Sequence, residues 1–221
     1  MRKLIIAIDG PSGAGKGTVA RAIAVELGYR HVDSGAMYRA VGWKALHDGV
    51  PLDDYAAVSR LAAGSTIDIT AAAVVIVDLD VTRAIRTPEI DRAAASVARL
   101  PTVRAILVER QRAMGAAGGI VMEGRDIGTV VFPRADVKIY LDAAADERAR
   151  RRASDPAHSG VPAAVADVAT LLQERDQSDS TRAASPLYAA PDATVIDTTG
   201  TPVAEVVTAV MKLVAEKLGE T

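Results

Sequence analysis

Short apolar runs alternate with longer segments of helical periodicity along most of the chain. The runs at 4–8, 29–32, 120–123, 137–141 and 194–196 are rich in aliphatic residues and predict short strands. Apolar positions recur at helical spacing in the segments between them, at 18–27, 36–47, 54–63, 88–98, 102–114, 144–152, 163–178 and 203–218. Alternation of strand and helix is typical of a parallel sheet flanked by helices, so the pattern predicts an α/β fold.

Residues 64–87 depart from this alternation. The stretches at 66–69, 74–80 and 81–85 are rich in β-branched residues, and 71–73 holds small residues suited to a turn. We therefore expect a small antiparallel insert that is separate from the parallel sheet.

Two further breaks divide the helical segments. Asp53 follows a break at 49–51 and is expected to cap the next helix. The segment 154–162 contains two prolines and a glycine, which predict an exposed loop. Neither break has the length of a linker between domains, so we expect one domain.

Composition and charge exclude several classes of function. The 221 residues carry a net charge of −2, whereas a general nucleic-acid binder has a basic excess. No cysteine is present, which excludes disulfides and thiolate metal sites. No apolar run approaches the ~20 residues of a membrane helix, and the run at 4–8 is too short for a signal peptide. We expect a cytoplasmic protein that binds neither nucleic acid nor membrane.

The segment between the first strand and the first helix has the features of a phosphate-binding loop. It reads Gly10, Pro11, Ser12, Gly13, Ala14, Gly15, Lys16, Gly17 and Thr18. Its glycines let the backbone curl so that N–H groups point at one anion, and the following helix adds its positive end. Lys16 supplies a point charge for the phosphates. The segment predicts ATP as a cofactor.

The end of this loop departs from the general pattern. A serine or threonine normally follows the lysine and binds Mg²⁺, but Gly17 stands there and Thr18 comes one residue later. The Gly-Lys-Gly-Thr ending resembles nucleoside monophosphate kinases. We therefore expect Mg²⁺ to lie mainly between phosphates and waters, and no residue is assigned as a metal ligand.

Three other segments carry polar residues that suit a second ligand. Residues 33–39 begin with Asp-Ser and end with an arginine, and 123–133 place an Arg-Asp pair directly after a predicted strand. Arg175, Asp179 and Arg182 recur at i, i+4 and i+7, on one face of a helix. Each has an ordinary alternative: a helix cap, a surface salt bridge worth under about 1 kcal/mol, or a solvated helix face.

Together these segments resemble the bacterial cytidylate kinase family. The resemblance covers essentially the whole chain through segments 10–18, 33–39, 85–89, 101–112, 124–133, 137–142 and 174–182. It implies phosphoryl transfer from ATP, with Mg²⁺, to CMP or dCMP by a monomeric enzyme. It also implies one domain whose core spans 1–35, 115–150 and 183–221, with a monophosphate-binding insert at about 36–114 and a lid at about 150–165.

The resemblance also implies roles for individual residues. Lys16, Arg125 and Arg182 would be catalytic, and Arg39 would join the two arginines in holding the CMP phosphate. Ser34 and Arg104 would lie near the phosphate and the cytosine ring, while Arg175 and Asp179 would contact the ribose. Asp126 would accept a hydrogen bond from the cytosine amino group, whereas uracil offers a carbonyl there. Arg148 and Arg152 would adjoin the ATP lid.

One position departs from the family, and other functions stay open. Where a serine facing cytosine is expected, alignment on Pro101 places Ala95, with Ser96 one residue later. A kinase for UMP, AMP or another small acceptor is one alternative. A non-catalytic nucleotide switch is another, although the chain has no asparagine for the Asn-Lys-x-Asp element of guanine switches. A phosphate acceptor needs no catalytic base, which fits a chain with three histidines.

Overall fold

The computed structural model describes residues 3–70, 72–155 and 165–219. The strands are β1 (Ile5–Asp9), β2 (Arg30–Asp33), β3 (Ile67–Ile69), β4 (Val74–Ile76), β5 (Leu79–Asp80), β6 (Ile120–Gly124), β7 (Val137–Asp142) and β8 (Thr194–Asp197). The helices are α1 (Lys16–Leu27), α2 (Ser34–His47), α3 (Tyr55–Gly64), α4 (Pro88–Ala98), α5 (Pro101–Gly115), α6 (Ala145–Ala153), α7 (Val165–Thr181) and α8 (Val203–Leu218).

Five strands form a parallel sheet in the order β2-β6-β1-β7-β8. β1 lies at its centre, with Asp9 opposite Gly124 on one side and Tyr140 on the other. Because all pairs are parallel, the carboxyl ends of the strands meet at one edge, where ligands bind in such sheets. The predicted α/β class is confirmed.

Apolar side chains cover both faces of this sheet, as the period of a strand requires. Ile6 and Ile8 of β1 pack with α1 and α8, while Ala7 faces the core formed with α2, α4 and α5. A third cluster is small and separate: Ala149 of α6 packs with Val168 and Leu172 of α7. The pair α6 and α7 therefore has its own apolar contact, distinct from the two main cores.

The predicted antiparallel insert is present as the three-stranded sheet β3-β4-β5. The predicted strand at 74–80 is two strands, because Val77 and Asp78 form a tight turn with φ of 47° and 62°. The predicted strand at 81–85 is wrong. Val81 and Ile85 are buried, and the Ile85 N–H donates to the Val81 carbonyl at 3.0 Å, so these residues form turns. Their apolar character reflects burial and not strand pairing.

Two helix starts also differ from prediction. Asp54, not Asp53, caps α3, and its carboxylate accepts from the Ala57 N–H at 2.9 Å. Helix α2 begins at Ser34, two residues early, because Asp33 caps it by accepting from the Ala36 N–H. Neighbouring polar residues offer competing caps, and the core contacts of the helix select between them.

The predicted exposed loop at 154–162 and the start of the helix predicted at 163–178 fall largely outside the described residues. The described part of that helix, α7, extends to Thr181. No helix in the described ranges is long and apolar enough to cross a membrane.

Candidate active site

The phosphate loop follows β1 with a backbone that requires glycine. Gly10, Gly13 and Gly15 have φ of 144°, 82° and 90°, in the region that side chains disfavour. A side chain at Gly10 would also collide with the Leu141 carbonyl. No side chain caps the start of α1, so its first N–H groups and its positive end face the loop. The sequence folds here into an anion cradle.

Lys16 lies inside this cradle. The side chain is buried, and its Nζ donates to the Pro11 carbonyl at 2.7 Å. Burial, aided by the positive charge of Arg125, lowers the pKa of Lys16 to about 7. A phosphate group beside the ammonium would replace the lost solvation and favour the protonated form.

Asp9 ties the root of the loop to the segment after β6. Its two carboxylate oxygens accept from the backbone N–H groups of Ile127 and Gly128, at 2.8 and 2.7 Å. These residues open a π-helical turn, Ile127–Val131, that directly follows Arg125 and Asp126. Burial raises the pKa of Asp9 to about 6 even though the two hydrogen bonds favour the carboxylate. Sequence reasoning missed this residue.

Carboxylates hold the arginines that enter from other elements. Arg39 Nη2 donates to Asp33 Oδ2 at 2.5 Å, and Arg125 Nε donates to Asp179 Oδ2 at 2.9 Å. Buried Arg104 donates to buried Asp126, and Arg182 Nη2 lies 4.0 Å from the same carboxylate. Burial would raise the pKa of Asp33, but Arg39 and Arg86 outweigh it and hold that pKa well below its usual range.

One cleft of about 930 Å³ brings most of the predicted residues together. Its lining includes loop residues 12–18 and, from other elements, Ser34, Arg39, Arg104, Arg125, Asp126, Arg152, Arg175, Asp179 and Arg182. Gly10, Pro11 and Arg148 do not line it. Arg148 instead supports the loop from behind, since its guanidinium donates to the Ser12 and Ala143 carbonyls and pairs with Asp176. The hydroxyl of Ser34 donates to the Glu123 carbonyl at 2.7 Å.

Several buried donors in the cleft lack a hydrogen-bond acceptor among the described residues. They are Arg39 Nε, Arg104 Nε and Arg182 Nη2. A buried donor without an acceptor is costly, so the cleft favours a ligand with acceptor oxygens or ring nitrogens. Phosphate and nucleobase groups both meet that requirement.

Comparison with known proteins agrees with this chemistry. A family model described as cytidylate kinase matches residues 6–216. The chain belongs to the cytidylate kinase family. Membership confirms the resemblance found in the sequence and, with it, the assignment as a phosphotransferase.

Curated cytidylate kinases resemble the chain over nearly its whole length. The protein from Pelotomaculum thermopropionicum is 50% identical over 91% of this chain and 92% of its own length. That from Solibacter usitatus is 45% identical over 98% of this chain and 94% of its own length. A solved structure titled TT1252 from Thermus thermophilus has a TM-score of 0.51 at 20% identity, covering 99% of both chains. At that identity the structural likeness supports the fold alone.

Two further residues that sequence reasoning left unassigned line this cytidylate kinase cleft, and a third contacts one of them. Arg86 lines it and lies 3.7 Å from Asp33 Oδ2. Glu123 also lines it, and His31 Nε2 lies 3.0 Å from Glu123 Oε1. Arg86 stands in the segment 85–89 that carried the family resemblance, so a signal was present. His31 and Glu123 are 92 residues apart, and no sequence pattern pairs them.

Of the two residues weighed for the position facing cytosine, Ala95 lines the cleft and Ser96 does not. Ala95 lines the cleft with Ala94 and Ala98 of α4. Ser96 is exposed, and its hydroxyl donates to the Arg92 carbonyl at 3.2 Å. Ser96 therefore does not replace the expected serine in the cleft.

Proposed function

We propose that this chain transfers the γ-phosphoryl group of ATP to CMP or dCMP, giving ADP and CDP or dCDP. An oxygen of the CMP phosphate attacks the γ-phosphorus, and the bond to the oxygen bridging the β- and γ-phosphates breaks with its electron pair on ADP. The attacking phosphate is largely deprotonated at neutral pH, so no general base is required. The rate would come from positioning and charge neutralisation.

The buried pair of Arg104 and Asp126 carries this assignment. It lies in the same cleft as the phosphate loop, among Arg39, Arg125 and Arg182. A carboxylate accepts a hydrogen bond from the exocyclic amino group of cytosine, whereas it repels the carbonyl that uracil offers there. In this proposal the three arginines bind the acceptor phosphate and the transferring group. In this proposal Arg175 and Asp179 face the ribose.

ATP would bind with its phosphates in the loop 12–18 and on Lys16, with Arg152 at the cleft wall. The residues present fit a Mg²⁺ ion that is held mainly by phosphates and waters. Gly17 provides no hydroxyl, and a Cβ atom at Gly17 would lie 3.0 Å from Glu123 Oε1. The Glu123 carboxylate therefore lies beside Gly17 and would be available to water molecules bound to the ion. Mg²⁺ bound there would neutralise charge on the β- and γ-phosphates.

The insert 36–114 would bind the acceptor. A lid at about 150–165 that covers ATP stays a prediction, because residues 156–164 lie outside the described residues. A monomeric state and a cytoplasmic location stay predictions from the sequence. No feature of the described residues specifically favours the alternatives of a UMP or AMP kinase or of a nucleotide switch.

The deciding experiment measures ADP release from ATP with CMP, dCMP, UMP, AMP, GMP and shikimate as acceptors. We expect CMP and dCMP to give the highest kcat/KM. If UMP or AMP were the better acceptor, the assignment to cytosine would be wrong while the kinase assignment would stand. If ADP were released with none of the acceptors, a nucleotide switch would become the better-supported function.

A further inference from the structure

Asp91 in the first turn of α4 joins two arginines from two other helices. Its carboxylate accepts a hydrogen bond from Arg152 Nη2 of α6, and its Oδ1 lies 3.6 Å from Arg175 Nη1 of α7. We propose that Asp91 is a positioning residue that holds Arg152 and Arg175 in the cleft, and so keeps the groups that bind ATP and the acceptor nucleotide aligned for transfer. This inference rests on the proposed function.

The helix that carries Asp91 is firmly fixed. Thr87 caps α4 by accepting from the Ile90 N–H, and Ile90, Ala94 and Val97 are buried in the larger core. Gly42 of α2 lets the two helices approach closely, since a side chain there would meet Ala93 Cβ at 3.1 Å. Asp91 therefore stands on a rigid base.

The two helices that carry the arginines are attached differently. Buried apolar residues of α6 and α7 form their own small cluster, apart from both main cores. Polar contacts link the described residues of these helices to the rest of the fold: Arg151 Nη2 donates to the Thr198 carbonyl at 2.7 Å, and Arg125 Nε donates to Asp179 Oδ2. Polar attachments of this kind hold only while their charges are matched. Asp91 links α4 to both of these helices.

The charges around the two arginines explain why a carboxylate is needed. Burial lowers the pKa of Arg152, and Arg39 and Arg125 act in the same direction while Asp91 opposes them. Burial and Arg125 likewise lower the pKa of Arg175, and Asp91 opposes them. If the charge of Asp91 were removed and no nucleotide phosphates were bound, repulsion from the other arginines would drive both guanidinium groups out of the cleft. Asp91 is the largest opposing charge at each arginine, with Asp155 adding to it at Arg152 and Asp179 at Arg175.

Both arginines line the same cleft as Lys16 of the phosphate loop and as Arg39 and Arg125. Groups that align two bound nucleotides for reaction lower the barrier to transfer more than they tighten the binding of either nucleotide. Loss of Asp91 should therefore act mainly on kcat.

The test compares Asp91→Asn, which removes the charge and keeps the shape, with Asp91→Glu, which keeps the charge. We expect Asp91→Asn to lower kcat on the order of tenfold while the KM values for CMP and ATP change less than about threefold. Asp91→Glu should recover part of the loss. Glu89→Gln is the matched control, because Glu89 is exposed in the same first helical turn. An unchanged kcat in Asp91→Asn, or an equal loss in Glu89→Gln, would overturn the proposal.

A second arm separates positioning from general stability. In a variant that carries Arg152→Gln and Arg175→Gln, adding Asp91→Asn should cause no further loss of kcat. A further tenfold loss there would show that Asp91 acts by another route and overturn the proposal.

Hydrogen exchange provides a readout that needs no catalysis. Amides of α6 and α7 should exchange faster in Asp91→Asn than in Glu89→Gln, while those of α1 and the parallel sheet stay unchanged. If the unsubstituted protein phosphorylates no acceptor, the proposed function fails, yet this exchange difference still tests the contact made by Asp91. Equal exchange in the two variants would overturn the contact.

Discussion

The two ends of the cleft bind anions in different ways. The phosphate loop uses backbone N–H groups, a helix end and one buried lysine, all within nine consecutive residues. The acceptor side uses arginines from several elements, and each of three pairs sets an arginine against a carboxylate: Arg39 with Asp33, Arg104 with Asp126, and Arg125 with Asp179. The loop is therefore defined by local backbone geometry, whereas the acceptor side depends on long-range charge pairing.

The largest expected effect lies in the loop. Lys16→Met should lower kcat/KM on the order of 10³-fold, because the single ammonium that faces the β- and γ-phosphates is lost. Lys212→Met serves as the control, since Lys212 is exposed on α8. Steady-state ADP release measures both variants, and comparable activity of Lys16→Met and Lys212→Met would contradict the role of the loop.

The acceptor side should respond next. Arg125→Ala or Arg182→Ala should lower kcat/KM ~10²-fold or more, because a charged contact to the reacting group is lost. Arg134→Ala changes an exposed arginine that follows the same β6 segment and should have little effect. Near-normal turnover with Arg125→Ala or Arg182→Ala would argue against their proposed role.

The choice between cytosine and uracil tests the role of the pair formed by Arg104 and Asp126. Asp126→Asn should lower kcat/KM for CMP about tenfold or more. It should also reduce the ratio of kcat/KM for CMP to kcat/KM for UMP, because an amide can donate to the uracil carbonyl. The thermal unfolding of this variant should be measured together with its kinetics, because the buried Arg104 loses its counter-charge. An unchanged ratio of CMP to UMP activity in a folded variant would remove Asp126 from base recognition.

The pH dependence of ATP binding has the smallest expected effect. The pKa of Lys16 is about 7 in the nucleotide-free protein, and bound phosphates should raise it. ATP affinity should then fall as pH rises above about 7, by at most about tenfold per pH unit. Calorimetry with a non-hydrolysable ATP analogue measures this, and Lys16→Arg should show a flatter profile because arginine stays charged. An equally steep decline in Lys16→Arg would exclude Lys16 as the titrating group.

The contrast between the two ends also explains how much the sequence predicted. The loop, its strand and its helix are encoded by neighbours, so the segment 10–18 and the parallel α/β class were predicted correctly. The pairing of Arg104 with Asp126 or of Arg125 with Asp179 spans 22 and 54 residues, and no local pattern encodes it. The π-helical turn, Ile127–Val131, was missed because its geometry depends on the distant carboxylate of Asp9.

Errors within the insert have a different physical origin. Residues 81–85 have β-branched character, and the sequence alone does not distinguish side chains buried in turns from side chains paired in a strand. The choice between Asp53 and Asp54 depends on where α3 meets the core. The roles proposed for individual cleft residues stay predictions until the variants are measured.

The hydrogen bonds of Asp9 have a consequence for how this fold can change. One carboxylate at the root of the phosphate loop fixes the backbone that immediately follows Arg125 and Asp126. In the proposed function, this link would help to set the spacing between the donor and acceptor phosphates from within the parallel sheet. Substitutions on the cleft face of α4 that leave Asp91 in place, such as at Ala95, should therefore alter which base or sugar is accepted with less effect on the alignment needed for transfer. An engineered change of substrate should begin there.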